Sequence, residues 1–207
     1  MIPESVMKEN TSETLPTIDF LSKQLTYRRS QATLKNELLA RAIGKHPNEA
    51  PTIVDATAGL GRDSFILASL GFNITLIERD PALYKVLAAA IAAATPTIPE
   101  IMQRMRLIHA DSITWLKQLN DNERPDTIYL DPMFPTRKKS ASVKKSMAIV
   151  QELLGTSTDN TLLFETALQM AKRRVIVKRP RTAAKISDHA VNFQLNGRTS
   201  RFDVYQL

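Results

Sequence analysis

The segment IVDATAGLGRDS (53–64) carries the pattern most indicative of chemistry, together with an acid that ends the next apolar segment. Gly59 and Gly61 allow a tight turn between a strand and a helix, at the sheet edge where doubly wound folds bind ligands. The following strand, ITLIE, ends in Glu78, where a carboxylate can accept hydrogen bonds from both hydroxyls of a ribose. This combination predicts a binding site for a cofactor that contains adenosine.

Two classes of cofactor compete for this turn. A dinucleotide fingerprint requires a third glycine, where Ser64 stands, and a helix N-terminus that can hold a pyrophosphate. Asp63 lies in that first helical turn and would repel a phosphate. S-adenosyl-L-methionine (SAM) has no phosphate and carries a cationic sulfonium and an amino group, so Asp55 and Asp63 would stabilise it. The residues favour SAM, and a glycine turn that serves packing alone is the other interpretation.

A second candidate site follows the fourth predicted strand, in IYLDPMFP (128–135). The segment resembles the Asp/Asn-Pro-Pro-Tyr/Phe motif of SAM-dependent methyltransferases that modify exocyclic amino groups of bases. A carboxylate that accepts the N–H hydrogens of an aryl amine orients its delocalised lone pair toward the methyl group. We therefore predict a catalytic set of Asp131, Pro132, which stiffens the turn, and Phe134, on which a flipped base can stack. In the alternative interpretation, Asp131 caps a turn and Phe134 only packs.

The positive charge of the chain is concentrated next to these motifs. The chain has 28 Lys and Arg against 21 Asp and Glu, a formal net charge of +7. Segments 136–145 and 172–181 hold 11 of these 28 cations and no acid, and both are predicted to flank one opening at the same sheet edge. This asymmetry favours a polyanionic substrate over two merely solvated segments. The predicted RNA contacts are Arg137, Lys138, Lys139, Lys144, Lys145, Lys178, Arg179 and Arg181.

Apolar strands and amphipathic helices alternate along the chain and must position these residues. The predicted strands are 52–55, 73–80, 106–111, 126–132 and 174–180, and the predicted helices are 63–71, 82–94, 113–119, 142–155 and 161–173. Asn196-Gly197 predicts a hairpin near the C-terminus. Such alternation predicts an α/β fold: a mostly parallel, doubly wound, Rossmann-like sheet that ends in an antiparallel hairpin.

The N-terminal part of the chain is less regular. TIDFLSKQLTYRR (17–29) predicts a hairpin or a short strand and turn, and residues 32–44 predict a helix that ends at Gly44. We expect residues 1–45 to form an appendage and residues 46–207 to form the SAM-dependent methyltransferase domain.

Composition excludes several classes of function. The chain has no cysteine and three histidines without ligand spacing, which excludes disulfides and thiolate zinc sites and makes us expect no metal site. Its hydrophobic fraction is 43%, but no apolar run approaches the ~20 residues of a membrane span. MIPESVMKEN has no apolar core of a signal peptide, so we expect a cytoplasmic protein.

The motifs together resemble a known family. DATAGLGRD, LIERDP, LIHADS, YLDPMFP with RKKSASVKK, and VIVKRP are similar to the bacterial ribosomal RNA small subunit methyltransferase J family. The resemblance implies a Rossmann-like fold, SAM as the cofactor, and methylation of N2 of a guanine in small-subunit (16S) ribosomal RNA. It also implies that a substrate-facing N-terminal part is reduced, since this segment is shorter than in typical members. The implied SAM contacts are Arg62, Asp63, Glu78, Arg79, Asp111, Ser112 and Asp131.

Two other functions fit the residues. One is a non-catalytic RNA-binding module whose cofactor pocket has degenerated. The other is a methyltransferase that acts on a protein amide or a small amine.

Overall fold

The computed structural model describes residues 16–44, 51–132 and 157–207. The helices are α1 (Lys23–Gln31), α2 (Leu38–Ile43), α3 (Arg62–Ser69), α4 (Pro81–Ala94), α5 (Pro99–Met102), α6 (Ser112–Lys117) and α7 (Ser157–Met170). The strands are β1 (Ile53–Asp55), β2 (Ile74–Glu78), β3 (Met105–His109), β4 (Thr127–Leu130), β5 (Arg174–Pro180), β6 (Phe193–Asn196) and β7 (Ser200–Gln206).

Within the described residues, the strands form one seven-stranded sheet in the order β3-β2-β1-β4-β5-β7-β6. Strands β1 to β5 are parallel to one another, whereas β7 is antiparallel to both β5 and β6. The predicted α/β fold with a closing antiparallel hairpin is therefore confirmed. In this order β1 lies between β2 and β4, so the carboxyl ends of these three strands meet at one edge.

The central strands β1 and β4 bury both faces, as parallel strands do under helices. On β4, Ile128 and Leu130 belong to one hydrophobic cluster and Tyr129, between them, to the other. Helices α3 and α4 cover the Tyr129 face, and α6 and α7 cover the opposite face. Because side chains alternate along a strand, the side chain of Asp131, directly after β4, is on the same face as that of Tyr129.

Most predicted elements agree with the structure to within a few residues. Asp80 is the N-cap of α4, as predicted, and its carboxylate accepts hydrogen bonds from the backbone N–H groups of Ala82 and Leu83 at 2.9 and 2.8 Å. The short helix α5 was not predicted. The predicted helix 142–155 lies outside the described residues.

The prediction for the N-terminal segment 17–29 is wrong, because Lys23–Gln31 is a helix. Its straight-chain residues have high helix propensity, which outweighs the weak alternation of the segment. Just before α1, Phe20 stacks on Phe65 of α3 with ring centroids 4.9 Å apart. These contacts join the segment to the main core, and the division at residue 45 stays a prediction.

The helix predicted for residues 32–44 is shorter than expected and covers only α2. Asn36 explains its late start. The backbone N–H of Thr33 donates to the Asn36 side chain at 2.7 Å, and the Asn36 side chain donates to the carbonyl of Gln31 at 2.8 Å. These side-chain hydrogen bonds stabilise a turn in competition with the helix.

Gly61, at the start of α3, is required by both conformation and packing. Its φ is 62°, and an added Cβ would lie 2.9 Å from Cδ1 of the buried Leu87. We expect Gly61→Ala to lower the free energy of unfolding by about 1–2 kcal/mol for the left-handed backbone. Overpacking against Leu87 adds a further ~1–3 kcal/mol. Urea unfolding followed by circular dichroism measures the change.

Gly59→Ala is the matched control, because Gly59 also has a positive φ, 50°, while its added Cβ would meet only the carbonyl oxygen of Thr57, at 3.8 Å. It should show the conformational cost alone. Equal losses in the two variants would contradict the packing role of Gly61.

Candidate active site

The loop between β1 and α3 is held against the end of β2 by Glu78. One carboxylate oxygen of Glu78 accepts the backbone N–H of Gly59 and the other accepts that of Asp80, both at 2.8 Å. The side chain is buried, with 4% of its residue surface exposed, and burial raises its pKa above the ordinary value while these N–H groups oppose the rise. Glu78 therefore sets the distance between the glycine loop and β2.

The loop fits a cofactor that lies against its main chain. The space beside Gly59 is open, since a Cβ there would meet its nearest atom at 3.8 Å. Two carboxylates, Asp55 and Glu78, end the strands on either side of the loop. An open glycine main chain next to acids at the ends of β1 and β2 suits the adenosine and the cationic groups of SAM.

Asp55 is the last residue of β1 and is buried, with 3% exposed. Its carboxylate accepts hydrogen bonds from the Ser64 hydroxyl at 2.5 Å and from the backbone N–H of Thr57 at 3.1 Å. Burial raises the pKa of Asp55 to about 7 despite these hydrogen bonds. Burial thus favours the neutral form of this carboxyl more than in an ordinary aspartate.

Asp131 lies beside this loop, directly after β4. Its backbone N–H donates to Oγ1 of Thr57 at 2.6 Å, which ties the end of β4 to the β1–α3 loop. Its Oδ2 accepts a hydrogen bond from Nζ of Lys178, at 2.8 Å. Burial raises the pKa of Asp131, the charge of Lys178 lowers it, and the net shift is upward. The fourth strand therefore brings a carboxylate to the glycine turn, as strand order predicted.

Asp63, in the first turn of α3, is the centre of an ion-pair network. One oxygen accepts Nη1 of Arg28 at 2.8 Å, and the other accepts Nζ of Lys178 at 2.7 Å and the hydroxyl of Tyr129 at 2.9 Å. Burial would raise the pKa of Asp63, but the charges of Lys178 and Arg28 outweigh it and lower the pKa to about 2. Asp63 is therefore ionised and engaged within the protein.

Comparison with known proteins identifies the family. The family model for SAM-dependent methyltransferases matches residues 4–207.

The chain belongs to the SAM-dependent methyltransferase family.

Relatives and solved structures agree with this assignment. Ribosomal RNA small subunit methyltransferase J of Thioalkalivibrio sulfidiphilus is 46% identical over 190 residues, which cover 91% of this chain and 74% of the relative. The protein of the same name from Aeromonas salmonicida is 44% identical over 92% of this chain and 77% of its own length. The crystal structure of a SAM-dependent methyltransferase from Neisseria gonorrhoeae matches with a TM-score of 0.74 at 35% identity, covering 96% of this chain and 77% of that chain.

The remaining predicted cofactor contacts lie along the same edge of the sheet, at the carboxyl ends of the strands. Asp111 caps α6 by accepting the backbone N–H of Thr114 at 2.9 Å, and the buried Ser112 donates its hydroxyl to the carbonyl of Ala56 at 2.7 Å. Arg79 is partly exposed and lies 3.8 Å from Asp159 of α7. Arg62 is exposed at the start of α3. The hydroxyl proton of Ser112 is therefore used within the fold.

The predicted RNA-facing rim is only partly as expected. Lys178 points into the Asp63–Asp131 pair, and Arg179 is buried, with 6% exposed and its guanidinium on the carbonyl of Ala184. The prediction that Arg179 contacts RNA is therefore corrected, because its side chain faces the protein interior at this position of the strand. Arg181 is exposed, and its contact with RNA stays a prediction. The remaining predicted residues, Phe134, Arg137, Lys138, Lys139, Lys144 and Lys145, lie outside the described residues.

Sequence reasoning missed the roles of Arg28, Tyr129 and Lys178 around Asp63. A signal for Lys178 was present in the sequence. The register of the parallel pair β4–β5 places Leu130 opposite Val177, so the next position along places Asp131 opposite Lys178. A lysine directly after the apolar run Val175–Val177 of one strand, beside an acid directly after the neighbouring strand, indicates an ion pair.

Neither a metal site nor a membrane-spanning helix is found in residues 16–44, 51–132 and 157–207. In that part of the chain, no group of three or more Asp, Glu or His side chains has the arrangement of a metal site. No helix there combines the length and the apolar character needed to cross a membrane.

Proposed function

We propose that this protein methylates the exocyclic N2 amino group of a guanine in small-subunit (16S) ribosomal RNA, with SAM as the methyl donor. The observation that carries the proposal is the contact of Asp131 with Thr57 of the glycine loop, in a chain whose curated relatives are named Ribosomal RNA small subunit methyltransferase J. A carboxylate beside the β1–α3 loop is suited to orient an amine that accepts the methyl group.

Several residues are proposed to hold the cofactor. The main chain at Gly59 and Gly61 provides the surface on which it lies, and Glu78 and Asp111 offer carboxylate oxygens to its hydroxyl and amino groups. Asp55 contributes negative charge near the cationic groups. Bound SAM supplies an electrophilic methyl group. The other proposed contacts are Arg62, Asp63, Arg79 and Ser112, of which Asp63 acts through charge rather than through a free oxygen.

The acceptor side is proposed to depend on Asp131. Its carboxylate accepts the N–H hydrogens of the guanine amine and fixes the direction of the nitrogen lone pair. The amine is thereby held in one orientation relative to the methyl group. Pro132, buried directly after Asp131, limits the backbone freedom of that turn. Phe134 is proposed to stack on the extruded base.

Ribosomal RNA as substrate also implies a cytoplasmic location.

The function is tested by transfer of a tritiated methyl group from SAM. Small subunits, purified 16S ribosomal RNA and total protein, all from cells that lack this protein, are incubated separately with enzyme. We expect label in the RNA or the subunits, recovered after nuclease digestion as N2-methylguanosine. Label in protein alone would favour the protein-amide alternative. No heat of SAM binding in calorimetry would favour the non-catalytic RNA-binding module.

The basic segment 136–145 is proposed to contact the phosphates of the substrate. We expect Lys138→Ala/Lys139→Ala to weaken RNA binding, because each lost phosphate contact removes a released counterion. The slope of log affinity against log salt should fall by about 0.7–0.9 for each contact. Filter binding at several salt concentrations measures it.

Lys117→Ala/Lys172→Ala is the control for this variant. Lys117 ends α6 and Lys172 precedes β5, both toward the amino-terminal edge of the sheet and both exposed. The same total charge is removed, but from the edge opposite the candidate site. An equal fall of the salt slope in both double variants would refute a localised RNA surface.

A further inference from the structure

We propose that Lys178 is a positioning residue for methyl transfer, whose ammonium group keeps the Asp131 carboxylate ionised and fixes its orientation toward the acceptor amine. This inference rests on the proposed function, because it assigns a role to a side chain that touches Asp131 rather than the substrate. It also replaces the sequence-based prediction that Lys178 contacts RNA.

The geometry of Lys178 supports positioning. Its Nζ lies 2.8 Å from Oδ2 of Asp131 and 2.7 Å from Oδ2 of Asp63, so one ammonium group joins the end of β4 to the first turn of α3. The Lys178 side chain is 27% exposed and that of Asp63 13%, which limits solvent screening of this pair. Asp63 is itself held by Arg28 and by the hydroxyl of Tyr129.

Among the residues that the structure describes, this arrangement leaves the other oxygen of Asp131 to the acceptor. Lys178 bonds Oδ2 only, and the Asp131 side chain is 39% exposed, so the carboxylate can reach a substrate while one of its oxygens is anchored. A carboxylate with one anchored oxygen has a defined rotation, and its second oxygen then accepts the amine hydrogen in one direction. Methyl transfer requires such alignment of lone pair and methyl group.

The charges around Asp131 explain why a cation is needed there. Asp63 from α3 and Asp55 from β1 are both close enough to interact with Asp131 or with each other, and Tyr129 of β4 is neutral because burial raises its pKa far above the ordinary value. Arg28 of α1 compensates Asp63. Lys178 is therefore the cation in direct contact with Asp131 among the described residues.

The protonation of both partners is consistent with this role. Burial would lower the pKa of Lys178, but Asp63 and Asp131 raise it above its ordinary value, so the amine stays charged. Burial raises the pKa of Asp131, and the Lys178 charge limits that rise. Removing the charge would raise the Asp131 pKa further, so that a larger fraction of Asp131 is protonated at neutral pH.

The test compares Lys178→Met with Lys178→Arg in the full chain. For Lys178→Met we expect the acid limb of the kcat profile to move to higher pH by about one pH unit, so that kcat falls by up to about tenfold at pH values on that limb. Activity should recover as the pH rises, because Asp131 must be ionised. The affinity for SAM by calorimetry and the KM for RNA should change by less than about threefold. Lys178→Arg should restore the wild-type pH profile.

A second measurement does not depend on turnover. The titration of the Asp131 carboxyl carbon, assigned with Asp131→Asn and followed by NMR without substrate, should move to higher pH in Lys178→Met but not in Lys178→Arg. Lys178→Gln takes the place of Lys178→Met if that variant does not fold. Lys185→Met, which removes an exposed lysine of the loop after β5, is the charge control and should change nothing.

The outcomes separate the two proposals. An unchanged Asp131 titration in the uncharged variants would overturn the role of Lys178, whatever the enzyme methylates. A raised KM for RNA with an unchanged kcat would do the same and favour an RNA contact. A wild-type enzyme with the expected Asp131 titration but no label in ribosomal RNA would overturn the proposed function and leave the ion pair standing.

Discussion

Asp131→Ala should lower kcat for methyl transfer to ribosomal RNA by about a hundredfold or more, because the acceptor amine loses the group that is proposed to orient its lone pair. SAM binding should weaken only moderately, since the loop against β2 is held by Glu78 and not by Asp131. The fold should remain, as Lys178 keeps Asp63 as a partner and the backbone N–H of residue 131 keeps its bond to Thr57. Single-turnover kinetics and SAM calorimetry measure the two effects.

Two variants complete this experiment. Asp131→Asn retains a carbonyl oxygen that can accept one amine hydrogen, so it should keep more activity than the alanine variant. Asp121→Ala removes a 94% exposed acid that pairs with Arg124 at the surface, and it should leave kcat unchanged. Near-normal turnover of Asp131→Ala would contradict the assignment of Asp131 to the acceptor side.

The sheet and the edge that carries the site could be predicted because their signals are local. Apolar segments that end in Asp55, Glu78 and Asp131, separated by helical segments, require strands whose carboxyl ends meet, and the right-handed crossover rule then limits their order. The glycine turn and the Asp80 cap are likewise encoded within a few residues. The α/β fold follows from these patterns alone.

The ion-pair network could not be predicted in the same way, because its members are far apart in sequence. Arg28 and Asp63 are separated by 35 positions, and Lys178 and Asp63 by 115. The positive charge of the segment predicts that Lys178 and Arg179 belong to one basic surface. Successive side chains of a strand point to opposite faces, however, so these two side chains have different surroundings. The segment of α1, which carries Arg28, is predicted from its alternating pattern to form a hairpin or a strand and turn, whereas it is a helix.

Glu78→Gln should lower the affinity for SAM by about ten- to hundredfold, since a hydrogen bond from a ligand to a charged group contributes about 1.5–3 kcal/mol. It should also disturb the loop. The two oxygens of Glu78 accept the N–H groups of Gly59 and Asp80, and an amide nitrogen in place of one oxygen leaves one of these buried donors unpaired. Calorimetry with SAM and urea unfolding measure the losses in affinity and in stability.

Glu100→Gln makes the same chemical change on an exposed residue in the first turn of α5 and should alter neither quantity. At saturating SAM, the kcat of Glu78→Gln should return close to the wild-type value, because Glu78 is proposed to act on the cofactor and Asp131 on the acceptor. A defect in kcat that persists at saturation, with unchanged SAM affinity, would show that Glu78 does not hold the cofactor. The proposed site therefore separates two effects. Glu78, the last residue of β2, should affect the binding of SAM, whereas Asp131, directly after β4, should affect kcat.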